Sequence, residues 1–226
     1  MSPNKEFEEF IDGLPPHEYL TTHRKRYLET YKRFSPYLKD GNRIAELGYL
    51  SPVSVFLRDH RGFTVAEITC DLRGPWPVES GEFDAILSLE VLEHIHDRVP
   101  PGCALEELIT FTGSGARNKF SEVHRVLRKG GRLLLTTPNA NSIDTVANVI
   151  TGKHPFQYKL HVREYAPQDV IEMAVDAGFD LETADTYFAW QVYSDEFRKR
   201  IGDAAESLGY PIMLPGDDAI FSFVKR

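Results

Sequence analysis

The chain has 226 residues, 42% hydrophobic and 27% charged, with 34 Asp and Glu against 26 Lys and Arg for a formal net charge of −8. That length buries a full core, most simply as one domain, while the acidic balance excludes a general nucleic-acid surface, which needs a basic field. Two cysteines (Cys70 and Cys103) exclude a disulfide framework, the N-terminus lacks an apolar targeting segment, and no apolar run reaches membrane-spanning length, so the expected setting is cytoplasmic.

In chain order, residues 17–39 read as a helix with Leu20, Tyr27, Tyr31 and Phe34 on one face and Gly41 just beyond its end. Its basic cluster His23-Arg24-Lys25-Arg26, like the stretch 125–129, reads as a solvated helix face. Residues 43–48 form a short strand ending in Gly48. Ser51-Pro52 then opens a helix, Ser51 as N-cap and Pro52 at the first position, with Val53, Phe56 and Leu57 as its buried stripe. Residues 63–69 and 83–89 are the second and third strands. Phe120, Val123 and Leu127 mark a helix ended by Lys129-Gly130-Gly131, and residues 132–137 form another buried strand stopped by Pro138. A helix over 167–177 stops at Gly178, and residues 181–190 and 219–224 are the last two strands. This alternation predicts an α/β chain with a mostly parallel sheet and helices on both faces. Two stretches fall outside it: 98–118 reads as an inserted loop, and 139–165 as a long, aromatic, histidine-bearing lid. The expected division is a helical cap over 1–40 and a main domain over 41–226.

The most informative stretch runs from Phe83 to His94. A strand apolar except for Asp84 and Ser88 leads directly into Glu90, Glu93 and His94, which a helical turn would place on one face. The carboxyl end of a parallel strand is where open α/β sheets bind their ligands.

Four segments in this order resemble the class I S-adenosylmethionine-dependent methyltransferases. Glu46-Leu47-Gly48 looks like the acidic-x-Gly opening of that family's first motif, and Phe83-Asp84-Ala85-Ile86 running into Glu90-Val91-Leu92-Glu93-His94 looks like its fourth-strand motif. The helix and strand over 122–137 look like the family's fifth-strand unit. His161-Val162-Arg163-Glu164-Tyr165 resembles the substrate-side segment of small-molecule and saccharide O-methyltransferases. The resemblance implies a three-layer Rossmann-like fold whose last strand is antiparallel, and transfer of a methyl group from S-adenosylmethionine to a hydroxyl of a small-molecule acceptor, a sugar or another natural-product intermediate. It implies cofactor binding by Glu46, Gly48, Glu67, Asp71 and Leu89. Glu46 would take the cofactor's amino group, Glu67 its ribose hydroxyls, and Asp71 would lie near the adenine amino group. The physical logic agrees: a glycine after a strand lets the backbone approach a ligand, and the next helix offers free N–H groups to a carboxylate.

Catalysis is expected from His94 or His161 as general base. Alternatively Glu90, Glu93, His94 and His161 bind Mg²⁺ or Mn²⁺, which would orient vicinal hydroxyls and lower their pKa. That set resembles the metal-dependent methyltransferases of small-RNA 3′ ends and the ubiquinone-type catechol O-methyltransferases. The plainer reading has Glu93 and His94 buttress the turn. Trp76 either packs over the adenine or is a buried indole in a rigid turn, the latter expected.

Two departures from the family pattern support a second hypothesis, a methyltransferase-fold accessory or ligand-binding subunit without the activity. Gly48-Tyr49-Leu50-Ser51-Pro52 holds one glycine where the family carries two or three, and the interval to Phe83 has room for one strand where the family has two strands and a helix. A third hypothesis, an RNA 2′-O-methyltransferase, rests on the metal-like cluster and runs against the acidic charge. No membrane or nucleic-acid partner is expected; a homodimer is the partner assembly considered.

Overall fold

The two runs that the sequence marks as buried on both faces lie at the centre of a six-stranded sheet. The computed structural model describes residues 2–97, 113–190 and 192–226. Its strands are β1 (Arg43–Leu47), β2 (Thr64–Ile68), β3 (Phe83–Leu89), β4 (Leu127–Pro138), β5 (Phe179–Tyr187) and β6 (Asp218–Lys225), in the order β2-β1-β3-β4-β6-β5. The pairs β1·β2, β1·β3 and β3·β4 are parallel, and β6 runs antiparallel to both β4 and β5. This is the expected mostly parallel sheet with an antiparallel last strand.

Side chains alternate between two cores. Leu133, Leu135, Phe221 and Phe223 pack under α4 (Ser114–Val126) and α6 (Pro167–Asp176), through Phe120, Val123, Val170 and Ala174. Leu134 and Ile220 face the opposite layer, built from α1 (Pro3–Gly13), α2 (Glu18–Phe34) and α3 (Pro52–Arg61). There Tyr31 of α2 lies 4.4 Å from the ring of Phe7 and 5.3 Å from that of Phe56. Each fully buried side chain of this size contributes about 1.5–3 kcal/mol, so the first two helices are fixed on the sheet by the same core as α3. Among the described residues no helix is long and apolar enough to cross a membrane.

Several boundaries differ from the sequence reading, each for a local reason. The first expected helix stops at Phe34 and passes into a 3₁₀ turn over Ser35–Tyr37, where Pro36 offers no N–H. Leu127, expected in a helix, opens β4, and a register shift between Phe83 and Ala85 absorbs the Lys129-Gly130-Gly131 bulge, with Gly130 at φ +72°. The stretch 139–165, expected as a loop, contains a helix, α5 (Ile143–Ile150), whose N-cap Ser142 accepts from Thr145 N at 3.0 Å. α1 and α7 (Asp195–Ser207) carry the same signal, with Ser2 and Ser194 as caps. Of the expected insertion, 98–112 lies outside the described residues, and α4 already begins at Ser114, with Asp97 accepting from the N–H groups of Gly113 and Gly115 at 2.9 and 3.1 Å. Between Gly48 and Phe83 there is one helix and one strand, leaving β2 at the sheet edge.

Candidate functional site

The turn after β1 is held by two carboxylates. Glu46, buried in β1, accepts from Ser51 N at 2.8 Å and from Ser51 Oγ at 3.1 Å, while Leu50 N donates to Glu67 Oε1 at 3.2 Å. Burial pushes the Glu46 carboxyl up to about 7 against its hydrogen bonds. Gly48 lies between them at φ +85°, and a Cβ there would meet no atom within 4 Å. The backbone conformation needs glycine and the space beside it is open. Glu46, Gly48 and Glu67 are therefore gathered around one turn. Leu89 ends β3, half-buried opposite Thr136. Asp71 lies past β2, where it accepts from Arg73 N at 3.0 Å and Arg73 Nε at 2.9 Å. Trp76 is 4% exposed and belongs to the core with Phe120, so its indole does not form an open face for an adenine.

The cluster after β3 is split by its backbone. Glu90 has φ +56°, the one positive φ of a non-glycine among the described residues, and Glu93 and His94 follow in a 3₁₀ turn over Leu92–His94. The three side chains do not share a helical face. Glu90 accepts from Thr136 Oγ1 at 2.7 Å and pairs with Arg26 of α2 at 3.3 Å. Arg26 itself is 7% exposed, so this member of the basic cluster is not a solvated face: a buried guanidinium needs counter-charge, and Glu90 supplies it.

Glu93 is buried. Thr137 Oγ1 donates to its Oε2 at 3.0 Å, its Oε1 has no partner, and His94 Nε2 stands 3.8 Å away. Burial and the nearby Glu90 raise its pKa. Lys119 of α4 is fully buried nearby, its pKa lowered to about 7 by burial against the pull of Glu93. His94 is exposed, its pKa lowered by burial of part of the ring and by His161. The two imidazoles meet edge to face at 5.0 Å. One ligand atom from each of Glu93, His94 and His161 lies within 4.8 Å of the others. Glu90, the fourth expected ligand, is outside that group.

His161 has a partner that residue-type reasoning passed over. Its Nδ1 lies 2.6 Å from Glu164 Oε1, and both side chains are nearly buried. The same oxygen accepts from Gln157 N at 2.7 Å. The signal was present in the His161-x-x-Glu164 spacing.

These groups line a cavity of about 650 Å³ at the carboxyl ends of β3 and β4, roofed by α2, α5 and the 153–165 segment. Glu90, Glu93, His94 and His161 line it; Glu46, Gly48, Glu67 and Asp71 do not. Its aromatic wall is Tyr19, His23 and Trp190, with His23 centred 3.8 Å from Tyr19 and 4.7 Å from Trp190. Burial and the adjacent Arg26 lower the His23 pKa to about 4, which leaves it neutral. Asp144 and Asp217 complete the floor. Asp144 is bridged by Arg198 of α7 at 2.8 and 2.6 Å, and Asp217 accepts from Ala189 N at 2.6 Å and Trp190 N at 3.1 Å. Nothing in the local sequence pattern distinguished these pairs, because their partners lie on distant elements.

Residues 19–184 match the family model described as a methyltransferase domain. Among solved structures, a SAM-dependent methyltransferase from Thermotoga maritima aligns with a TM-score of 0.60 at 18% identity, covering 97% of this chain and 98% of that one. A SAM-dependent methyltransferase from Archaeoglobus fulgidus gives 0.56 at 16% identity, over 99% and 100%. Phosphoethanolamine N-methyltransferase 2 of Haemonchus contortus, solved with S-adenosyl-L-methionine, gives 0.53 at 16% identity, over 97% of this chain and 60% of that one. At these identities the likeness is one of fold. No curated relative matches the sequence.

Proposed function

Because this chain belongs to the methyltransferase-domain family, we propose that it transfers a methyl group from S-adenosylmethionine to a hydroxyl of a small molecule held in the 650 Å³ cavity, a sugar or another natural-product intermediate. The observation that carries the hydroxyl reading is the Glu164–His161 contact. A carboxylate on Nδ1 fixes that nitrogen as the proton-bearing one and leaves Nε2 with a free lone pair. A hydroxyl needs such a base as it attacks, whereas a neutral amine already presents its lone pair.

The donor would sit beside Gly48, where the open space and positive φ suit close backbone approach. Glu46 and Glu67 would take its amino group and ribose hydroxyls, Leu89 would face it from the end of β3, and Asp71 would stand toward the adenine. When bound, the sulfonium supplies the electrophilic methyl. The protein's part is to align the acceptor oxygen, exclude water with α2 and α5, and receive the proton on His161 Nε2. Tyr19, His23 and Trp190 offer a flat apolar wall for one face of the acceptor.

A second reading rests on the orphaned Glu93 Oε1 beside His94 and His161, which fits a divalent ion such as Mg²⁺ or Mn²⁺. When bound, the ion would lower the hydroxyl's pKa. These three residues would hold it, with Glu90 left to Arg26.

Calorimetric titration with S-adenosylhomocysteine, followed by methyl-transfer assays on wild type and His161→Ala, tests the reading. Binding retained and transfer lost in the variant is the expected result; no heat with wild-type protein would favour the accessory-subunit hypothesis. Assays with EDTA and then added Mn²⁺ separate the base from the metal.

A further inference from the structure

Gln157 lines the cavity, and its amide oxygen, Oε1, is buried with no partner in the protein. The rest of this residue is held in place. Its Nε2 donates to the main-chain oxygen of Asp217. A carbonyl only accepts, so the NH₂ end must be the one turned to Asp217, and the oxygen end is the one left over. Its backbone N donates to Glu164 Oε1 at 2.7 Å, the same atom that meets His161 Nδ1 at 2.6 Å. One carboxylate oxygen thus sets both the imidazole and residue 157.

Three of the charged groups around the cavity are already matched. Glu90 faces Arg26 at 3.3 Å, Asp144 faces Arg198 at 2.6 Å, and both oxygens of Asp217 accept main-chain N–H groups. Glu93 is the exception: its Oε2 accepts from Thr137 Oγ1, while its Oε1 has no partner. Among the described residues that line the cavity, three buried atoms have no partner in the protein, His23 Nδ1, Glu93 Oε1 and Gln157 Oε1; of these, the Gln157 amide oxygen is neutral and can only accept, and its residue shares the Glu164 oxygen with His161. Buried acceptors without partners are rare in folded proteins and call for an explanation.

We propose that Gln157 is a specificity-determining residue whose amide oxygen accepts a hydrogen bond from a second, non-reacting hydroxyl of the acceptor, next to the hydroxyl that His161 faces. The acceptor is then an uncharged diol or polyol rather than a mono-alcohol or an amine. This rests on the methyltransferase reading of the same site.

The test uses the full chain, wild type and Gln157→Leu, with Gln157→Met in its place if the first variant's thermal unfolding midpoint shows that it does not fold. S-Adenosylhomocysteine binding is measured first by calorimetry. Transfer of radiolabelled methyl is then followed on two matched pairs, catechol against phenol and cis-1,2-cyclohexanediol against cyclohexanol, and on ethanolamine. In wild type, kcat/KM for the diol exceeds that for its mono-alcohol by at least about tenfold, and in the variant the two agree within about twofold, because a site built to bond a hydroxyl rejects the analogue lacking it. Three results overturn the proposal: equal or better turnover of a mono-alcohol or ethanolamine by wild type, a diol preference that survives in the variant, or no diol turnover by protein that binds S-adenosylhomocysteine. Absence of that binding fails the methyltransferase reading itself, and the proposal with it.

Discussion

Glu90 meets Arg26 at 3.3 Å, and it stands outside the group that Glu93 and His94, its close neighbours in the chain, form with His161. Glu90 sits at φ +56°, a conformation that costs about 1–2 kcal/mol for a residue with a Cβ. The ion pair joins α2 to the carboxyl end of β3 and closes one wall of the cavity.

Removing that guanidinium leaves the nearly buried Glu90 carboxylate without counter-charge. Arg26→Met is expected to lower stability by about 3–5 kcal/mol, measured by guanidinium unfolding. The double variant Arg26→Met/Glu90→Gln regains a substantial part of the loss. A double variant no more stable than the single one would show that the pair is not the source.

Glu46 makes stability depend on pH. Its carboxyl is raised from 4.5 to about 7 in the fold by burial, so between those values the native state keeps a proton that the unfolded chain has released. Stability therefore falls as pH rises through that window and levels off above it, by an amount on the order of 3 kcal/mol from this group. Glu46→Gln, which resembles the protonated acid, gains on wild type between pH 4.5 and 7. Parallel unfolding curves for the two proteins across that range would contradict the raised value.

Gly48→Ala separates folding from ligand binding. The new Cβ meets no protein atom within 4 Å, so the cost is backbone strain of about 1–2 kcal/mol at φ +85°. The same Cβ enters the space assigned to the donor, and S-adenosylhomocysteine affinity falls at least about tenfold, a loss of 1.4 kcal/mol or more. Calorimetry beside a thermal melt reads both effects. Unchanged affinity would move the donor away from this turn.

Glu164→Gln keeps the shape of the side chain and removes the charge that favours a proton on His161 Nδ1. Turnover is expected to fall about 10²–10⁴-fold, with S-adenosylhomocysteine affinity unchanged. A drop in affinity without a drop in turnover would assign the pair to loop structure alone.

Much of the site was legible one element at a time. Glu46-Leu47-Gly48 marked the turn after β1, and the run from Phe83 into Glu93 and His94 marked the strand end that opens on the cavity. The Ser-Pro and Ser-x-x-Thr signals at Ser2, Ser51 and Ser142 are equally local, and those at Ser2 and Ser142 name helices that a reading centred on the sheet passed over. Arg26 shows the opposite case. Within its own helix it is one of four basic or histidine residues in a row, and its burial follows from how α2 lies against β3 and β6.

By itself, then, the sequence determined the strands, the two-sided burial of β3 and β4, the glycine that ends β1 and the placement of ionisable groups after β3. These depend on alternation, capping and backbone sterics, forces that act within a few residues. Only the tertiary structure decided which charge faces which: Glu90 toward Arg26, Asp144 toward Arg198, Gln157 and His161 onto one oxygen of Glu164. Those choices depend on the packing of helices and loops across the sheet, where a buried charge takes the partner that the fold brings within about 4 Å, whatever its distance along the chain.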